Sequence, residues 1–278
     1  MNAELVSDAR AELGEGPIWD ARTQELLWVD ILPGTVHRFD PATGTDRQFH
    51  AGGFVGAVVP RAAGGYALAV AEGFALASDD GEVTPLVEVG HDFTVRMNDG
   101  ACDSAGRFWA GSMRVDEADG GGRLYRLDRD HTVAMICDGV SISNGIAWSR
   151  DETLLYYIDT PMRTVDVFDF DAASGAATNR RVLFETHGDA VPDGMVADEE
   201  GGLWVAMWGG GCVRRYTTDG RLTAVIDVEA AHTTKAAFGG PDLTDLYITS
   251  AAGDGYHPGG LFVVQPGVRG LPANAYAG

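Results

Sequence analysis

Residues 141–160 read SISNGIAWSRDETLLYYIDT. Asn144-Gly145 opens an apolar run, Ile146-Ala147-Trp148; a polar turn follows from Ser149 to Glu152, and a β-rich run from Leu154 to Ile158 closes on Asp159. The same unit recurs at 15–31 (EGPIWDARTQELLWVDI), 99–113 (DGACDSAGRFWAGSM) and 193–207 (DGMVADEEGGLWVAM), with weaker copies at 55–70 and 235–250. The small residue after each opening position is Gly16, Gly56, Gly100, Gly145, Gly194 or Ala236, at intervals of 40, 44, 45, 49 and 42 residues. A period in the forties, made of short strands and turns, is that of a four-stranded propeller blade. A β-sandwich has evenly spaced turns but no repeated motif. The repeat therefore predicts an all-β fold, a six-bladed β-propeller, with residues 1–278 forming a single domain free of any charged or Pro/Ser-rich linker.

Composition narrows the function. The 38 glycines suit a turn-dense β fold, and the 45% hydrophobic content supplies a core. A formal charge of −21 repels phosphate backbones, so no nucleic-acid partner is expected. The N-terminus lacks the basic start and apolar core of a signal peptide, and no run of about 18 apolar residues is present to span a bilayer. Three widely spaced cysteines, Cys102, Cys137 and Cys212, argue against a disulfide framework and for a cytoplasmic location. A closed propeller has no obligatory open edge, so a monomer is expected. There is no CxxC, no HExxH and no metal-ligand spacing among the seven histidines.

The polar residues at the blade openings carry the chemistry. FDPATG (39–44) and FDFDAASG (168–175) cluster aspartates, but their spacing fails the EF-hand pattern and turn chemistry accounts for them. In a propeller, equivalent positions of successive blades form a ring about the central channel. Glu15, Asn98/Asp99, Asn144 and Asp193 then face one axis. Singly, each reads as a turn residue beside glycine; at matching positions they read as a site. Carboxylates and amide oxygens without thiolate suit one divalent cation, Ca²⁺, Mg²⁺ or Mn²⁺, and do not exclude Zn²⁺ or Fe²⁺.

LGEGPIWD, RMNDGACDSAGRFWAGSM, SISNGIAWSRDETLLYYIDT and VPDGMVADEEGGLWVAM resemble the senescence marker protein/gluconolactonase/luciferin-regenerating enzyme family, and the similarity runs from Gly14 to Gly278. The resemblance implies a propeller with a central metal-binding channel, its cation held by Glu15, Asn144 and Asp193. It implies hydrolysis of a sugar-acid lactone as a gluconolactonase-like ester hydrolase, with Asp193 as general base and substrate contacts from Arg96 and Asn98. Members carry an acidic pair after the AG[ST]M segment; here Asp116 takes that place, with Glu117 beside it.

Chemistry alone gives the same outline. A lactone needs its carbonyl polarised, which a divalent cation does, and a water delivered to it. Asp193 can take the water's proton. Cation binding lowers a carboxylate's pKa, so activation of water by the cation, with Asp193 orienting it, is a second route. Arg96 can clamp hydroxyls, and Asn98 offers a polyol both donor and acceptor. Trp208, Phe93 and His91 are candidates for the channel mouth, and the polar, glycine-rich stretch 114–122 is either a lid or a hairpin tip. Two other functions stay open: hydrolysis of another ester or a phosphotriester on the same scaffold, and a non-enzymatic calcium-binding propeller.

Overall fold

The computed structural model describes residues 1–90, 92 and 94–278. Six antiparallel sheets of four strands form a ring. The inner strands are Gly14–Asp20, Val55–Pro60, Val95–Cys102, Ser143–Trp148, Val191–Ala197 and Thr233–Gly239. Each packs against the inner strand of the next blade, and Thr233–Gly239 returns to Gly14–Asp20, so the circle is closed. This is the six-bladed β-propeller that the repeat predicts. The one helical element among the described residues is a 3-10 turn, Thr160–Met162. No helix is long and apolar enough to cross a membrane.

Five blades are meanders of consecutive strands. The sixth takes its outermost strand, Glu4–Ser7, from the N-terminus, where it pairs with Leu261–Val264. Both ends of the chain are thereby tied into the ring, because the C-terminal segment is fastened too. Tyr276 is fully buried in the core between the second and third blades. Its N–H donates to Pro60 O, and the Ala277 N–H donates to Gly106 O.

Burial follows position in the blade. Inner strands are covered on both faces by neighbouring blades, so Val55–Pro60 is buried throughout, whereas the outermost strand of the first blade, Thr45–His50, is largely exposed. Trp28, Trp109 and Trp204 are fully buried between sheets. Each removes on the order of 200 Å² of mostly apolar surface from water, the main favourable contribution to closing the ring.

The repeated small residue has a structural cause. Every inner strand shifts register close to it: between Glu15 and Ile18, Val55 and Ala57, Met97 and Gly100, Asn144 and Ile146, Pro192 and Met195, and Thr233 and Lys235. A bulge bends a strand and re-aims its side chains. The inner strands also approach closely there. A Cβ added at Gly56 would lie 2.5 Å from Asn98 O, and one added at Gly194 would lie 2.5 Å from Lys235 Cβ. Six bulges at one level turn six side chains toward one place.

Candidate active site

The residue before each small residue occupies this level: Glu15, Val55, Asp99, Asn144, Asp193 and Lys235, all of them buried. Two are positioned by aspartates at the ends of neighbouring strands. Asp30 accepts the backbone N–H groups of Glu12 and Leu13, at 2.9 Å each, just ahead of Glu15. Asp159 accepts those of Ser141 and Ile142 just ahead of Asn144. Charge-assisted bonds of this kind fix a chain segment more firmly than neutral ones.

Asn144 is oriented at both ends of its amide. Its Nδ2 donates to Thr160 Oγ1 at 2.9 Å, and Thr160 Oγ1 donates to Pro192 O, linking the fourth blade to the fifth. Its Oδ1 accepts from Asn98 Nδ2 at 3.1 Å. Asn98 also donates to Ser143 O at 2.9 Å and accepts Arg96 Nη1 on Oδ1 at 2.7 Å. Arg96, Asn98 and Asn144 are one hydrogen-bonded chain.

The carboxylates are less well served. Glu15 accepts its neighbour Gly16 N–H at 2.7 Å on Oε2, and among the described residues no donor reaches Asp193. Burial, and then the nearby Asp99 charge, push Glu15 up to about 8. Burial, and then the charges of Glu15 and Asp99, push Asp193 well above the ordinary carboxylate range. Lys235 and Arg96 offset both shifts only in part. Two buried carboxyl groups that repel one another, one with a single donor and one with none among the described residues, form an acceptor set wanting positive charge. With the Asn144 amide oxygen they offer hard oxygen ligands of the kind divalent cations take. Among the described residues no group of three or more His, Cys, Asp or Glu side chains is arranged to hold a metal ion; the set here is two carboxylates and an amide.

Arg96 is buried beside them, and desolvation lowers its pKa to about 10 against the charges of Glu15, Glu117 and Asp193. Asp116 is placed differently. It is exposed and makes a two-point ion pair with Arg114, at 2.8 and 2.7 Å, which holds its carboxyl at about 2. The next residue, Glu117, has a left-handed backbone, φ 58°, and is the loop carboxylate that acts on Arg96. The loop joins the second strand of the blade, Phe108–Arg114, to Gly122–Leu127, on the side of the ring where Arg96 lies.

Trp208 ends the strand paired to Val191 and stacks on His232, ring centroids 4.2 Å apart, at the rim beyond Asp193. His91 and Phe93 lie outside the described residues. Asp166, Asp169 and Asp171 stand away from the ring. The first two pair with Arg180 and Arg181, and Asp171 accepts the Ser174 N–H in its own turn. The residue that sequence reasoning passed over is Lys235, whose signal was its place before Ala236. Its Nζ bonds Asp99 Oδ1 and, at 3.3 Å, Gly100 O. Beyond this level, toward the ends of the inner strands, the channel widens into a cavity of about 290 Å³ walled by Trp19, Ile146, Trp148 and Phe238, with Leu271 to Asn274 at its mouth.

The family described as SMP-30/Gluconolactonase/LRE-like region matches residues 13–252. The chain belongs to this family. It is 40% identical over 261 residues to pentonolactonase XacC of Haloferax volcanii, covering 92% of this chain and 87% of that one. It is 37% identical over 297 residues to regucalcin of Danio rerio, covering 100% of this chain and 99% of the relative. Among solved structures, the calcium-binding protein regucalcin of Agrobacterium tumefaciens superposes with a TM-score of 0.94 at 29% identity, covering 99% and 97% of the two chains. A sugar lactonase and a calcium-binding protein thus stand among its relatives.

Proposed function

We propose that the protein hydrolyses a sugar-acid lactone, such as gluconolactone or a pentonolactone, to the free aldonic acid. The observation that carries the reading is the pair of buried, donor-poor carboxylates, Glu15 and Asp193, set beside the ordered chain Arg96–Asn98–Asn144. Glu15, the Asn144 amide oxygen and Asp193 would hold one divalent cation, which when bound supplies Lewis-acid polarisation of the lactone carbonyl and stabilises its oxyanion.

The remaining steps belong to side chains. Asp193 accepts the proton of the attacking water as oxygen adds to the carbonyl carbon. It returns a proton to the ring oxygen when the carbon–oxygen bond of the ring breaks. Arg96 uses Nη1 on Asn98 and on Met97 O, leaving other N–H groups for substrate hydroxyls, and Glu117 balances its charge. This makes Glu117 the loop carboxylate proposed to face the sugar, in preference to Asp116. The loop from 114 to 122 covers the bound sugar, and Trp208 walls the mouth. The three cysteines are free thiols, consistent with a cytoplasmic enzyme, which acts as a monomer.

A pH-drop assay with several aldonolactones and one phosphotriester tests the reading. Turnover of one or more lactones well above the phosphotriester is expected. Preference for the phosphotriester would move the activity to another ester class, and cation binding without turnover of any of them would leave a calcium-binding propeller.

A further inference from the structure

Lys235 and Asp99 occupy the same ring level as Glu15, Asn144 and Asp193, but in blades that face each other. Their strands, Val95–Cys102 and Thr233–Gly239, are the third and sixth of six around the circle. The ion pair between Lys235 Nζ and Asp99 Oδ1 therefore crosses the channel from wall to wall. Both side chains are buried, Asp99 at 1% exposure and Lys235 at 6%. The lysine stem lies against Gly194, where no Cβ could fit, and this close packing fixes its path across the axis. Gly100 and Lys235 also line the apolar cavity, so the pair lies between that cavity and the polar groups on the other side.

Charge gives the bar its significance. With every carboxyl ionised, the ring holds three carboxylates, Glu15, Asp99 and Asp193, and one ammonium, Lys235. Arg96 adds one positive charge and the exposed Glu117, the next charge acting on it after Glu15, one negative charge. Two negative charges remain, the complement of a single divalent cation. Asp99 is held by one oxygen only: Oδ1 accepts Lys235 and the Gly100 N–H, whereas Oδ2 is buried with no hydrogen-bond partner. Asp99 is thus a third buried carboxylate of the ring, one oxygen engaged by the lysine and the other without a hydrogen-bond partner.

We propose that the Lys235–Asp99 pair is a charge-setting bar, which withdraws one carboxylate from the ring and so matches the site to a divalent rather than a trivalent cation. Lys235 acts here as a positioning residue through Asp99. The proposal rests on the cation reading of the same ring. It follows that Lys235→Met, which keeps most of the stem but removes the charge, frees Asp99 and raises the demand for positive charge. Asp99→Asn does the reverse, leaving an unpaired ammonium beside the cation. The double variant restores the original balance.

The test is titration of metal-stripped protein with Ca²⁺ by calorimetry and with Tb³⁺ by luminescence, in the unaltered chain, both single variants and the double variant, each checked for cooperative thermal unfolding. Lys235→Met should raise the Tb³⁺-to-Ca²⁺ affinity ratio by about tenfold or more, and Asp99→Asn should weaken Ca²⁺ binding by a similar factor, as expected of one unit charge a few ångströms away. The double variant should return to within about threefold of the unaltered chain, since the two changes are coupled. A double variant as weak as Asp99→Asn, or a Tb³⁺-to-Ca²⁺ ratio indifferent to the lysine, overturns the bar. If Lys235→Met fails to fold, the comparison of Asp99→Asn with the double variant decides. Absence of saturable cation binding in the unaltered chain defeats the cation reading and the bar together; binding that ignores all the variants defeats the bar alone.

Discussion

Two kinds of buried carboxylate share the inner part of this propeller. Asp198 is fully buried and fully served. It accepts the Glu200 and Gly202 N–H groups on Oδ1, and Trp204 Nε1 and Arg215 Nε on Oδ2, at 2.7 to 3.0 Å. Asp103 has the same arrangement in the third blade, with Arg107 and Trp109. Only five residues before Asp198, on the same inner-strand region, Asp193 has no donor among the described residues, and burial among other carboxylates raises its pKa. Burial alone therefore says nothing about role. A buried carboxylate with a complete donor set ties turn, tryptophan and arginine into one blade; one without donors is strained toward protons or cations and belongs to a site.

The largest expected effects separate the two kinds directly. Asp198→Ala strands the Trp204 indole N–H and leaves Arg215 only its partly exposed partner Glu200, and chemical denaturation should show a loss of about 3–5 kcal/mol, the usual cost of breaking a buried pair. Asp193→Asn should instead leave the cation-free protein as stable or more stable at pH 8, while lactone turnover falls about 100- to 10,000-fold, the range for loss of a general base. A large stability loss from Asp193→Asn would erase the distinction.

A second expectation concerns pH. Glu15 is shifted from 4.5 up to about 8 in the folded protein, so the native state holds a proton that the unfolded chain releases. The stability from this group is fully present below about 4.5 and is lost as pH rises through about 8. Thermal melts of cation-free protein should therefore decline between those values, and Ca²⁺ should raise the melting temperature most at the alkaline end, where protons no longer compete for the ring. A cation-free melting temperature that climbs across this window would contradict the electrostatic picture.

The smallest effects lie in the loop. Asp116 is exposed and bound to Arg114, and Asp116→Asn should alter lactone kcat/KM by less than about threefold, as for surface ion pairs generally. Glu117→Gln should reduce it more, through KM, since Glu117 is the charge facing Arg96. The reverse order would return the sugar-facing role to Asp116.

The sequence carried the blade period because close packing of inner strands imposes it: the glycine at 56 or 194 leaves no room for a Cβ. Repeat position likewise singled out Glu15, Asn98/Asp99, Asn144 and Asp193, since equivalent positions must share a level, and the family resemblance narrowed the expected ligands to Glu15, Asn144 and Asp193. Lys235 stood at the same position, yet a lysine beside threonines reads as solvated surface until its partner on the opposite blade is known. Neighbouring Asp116 and Glu117 could not be told apart either, because the difference lies in tertiary placement: Asp116 pairs with Arg114, while the charge of Glu117, at a left-handed backbone position, acts on Arg96. Three of the four donors to Asp198 lie within the next six residues, a D-x5-W spacing that Asp103 and Trp109 repeat, whereas no local pattern marks Asp193, which has no donor among the described residues. Closure by Glu4–Ser7 rests on hydrogen bonding along a strand edge, to which the short sequence ELVS gives no sign.

The central claim is that the donor-poor carboxylates Glu15 and Asp193 hold a cation on which turnover depends. Metal-stripped protein titrated with a divalent cation, with bound cation and lactone hydrolysis followed in the same samples, tests it most directly. Turnover should be negligible at the start, rise in proportion to occupancy and level off at one equivalent, with neither signal in Asp193→Ala. Full turnover in the stripped protein, or one tightly bound equivalent with no lactone hydrolysed, would contradict it.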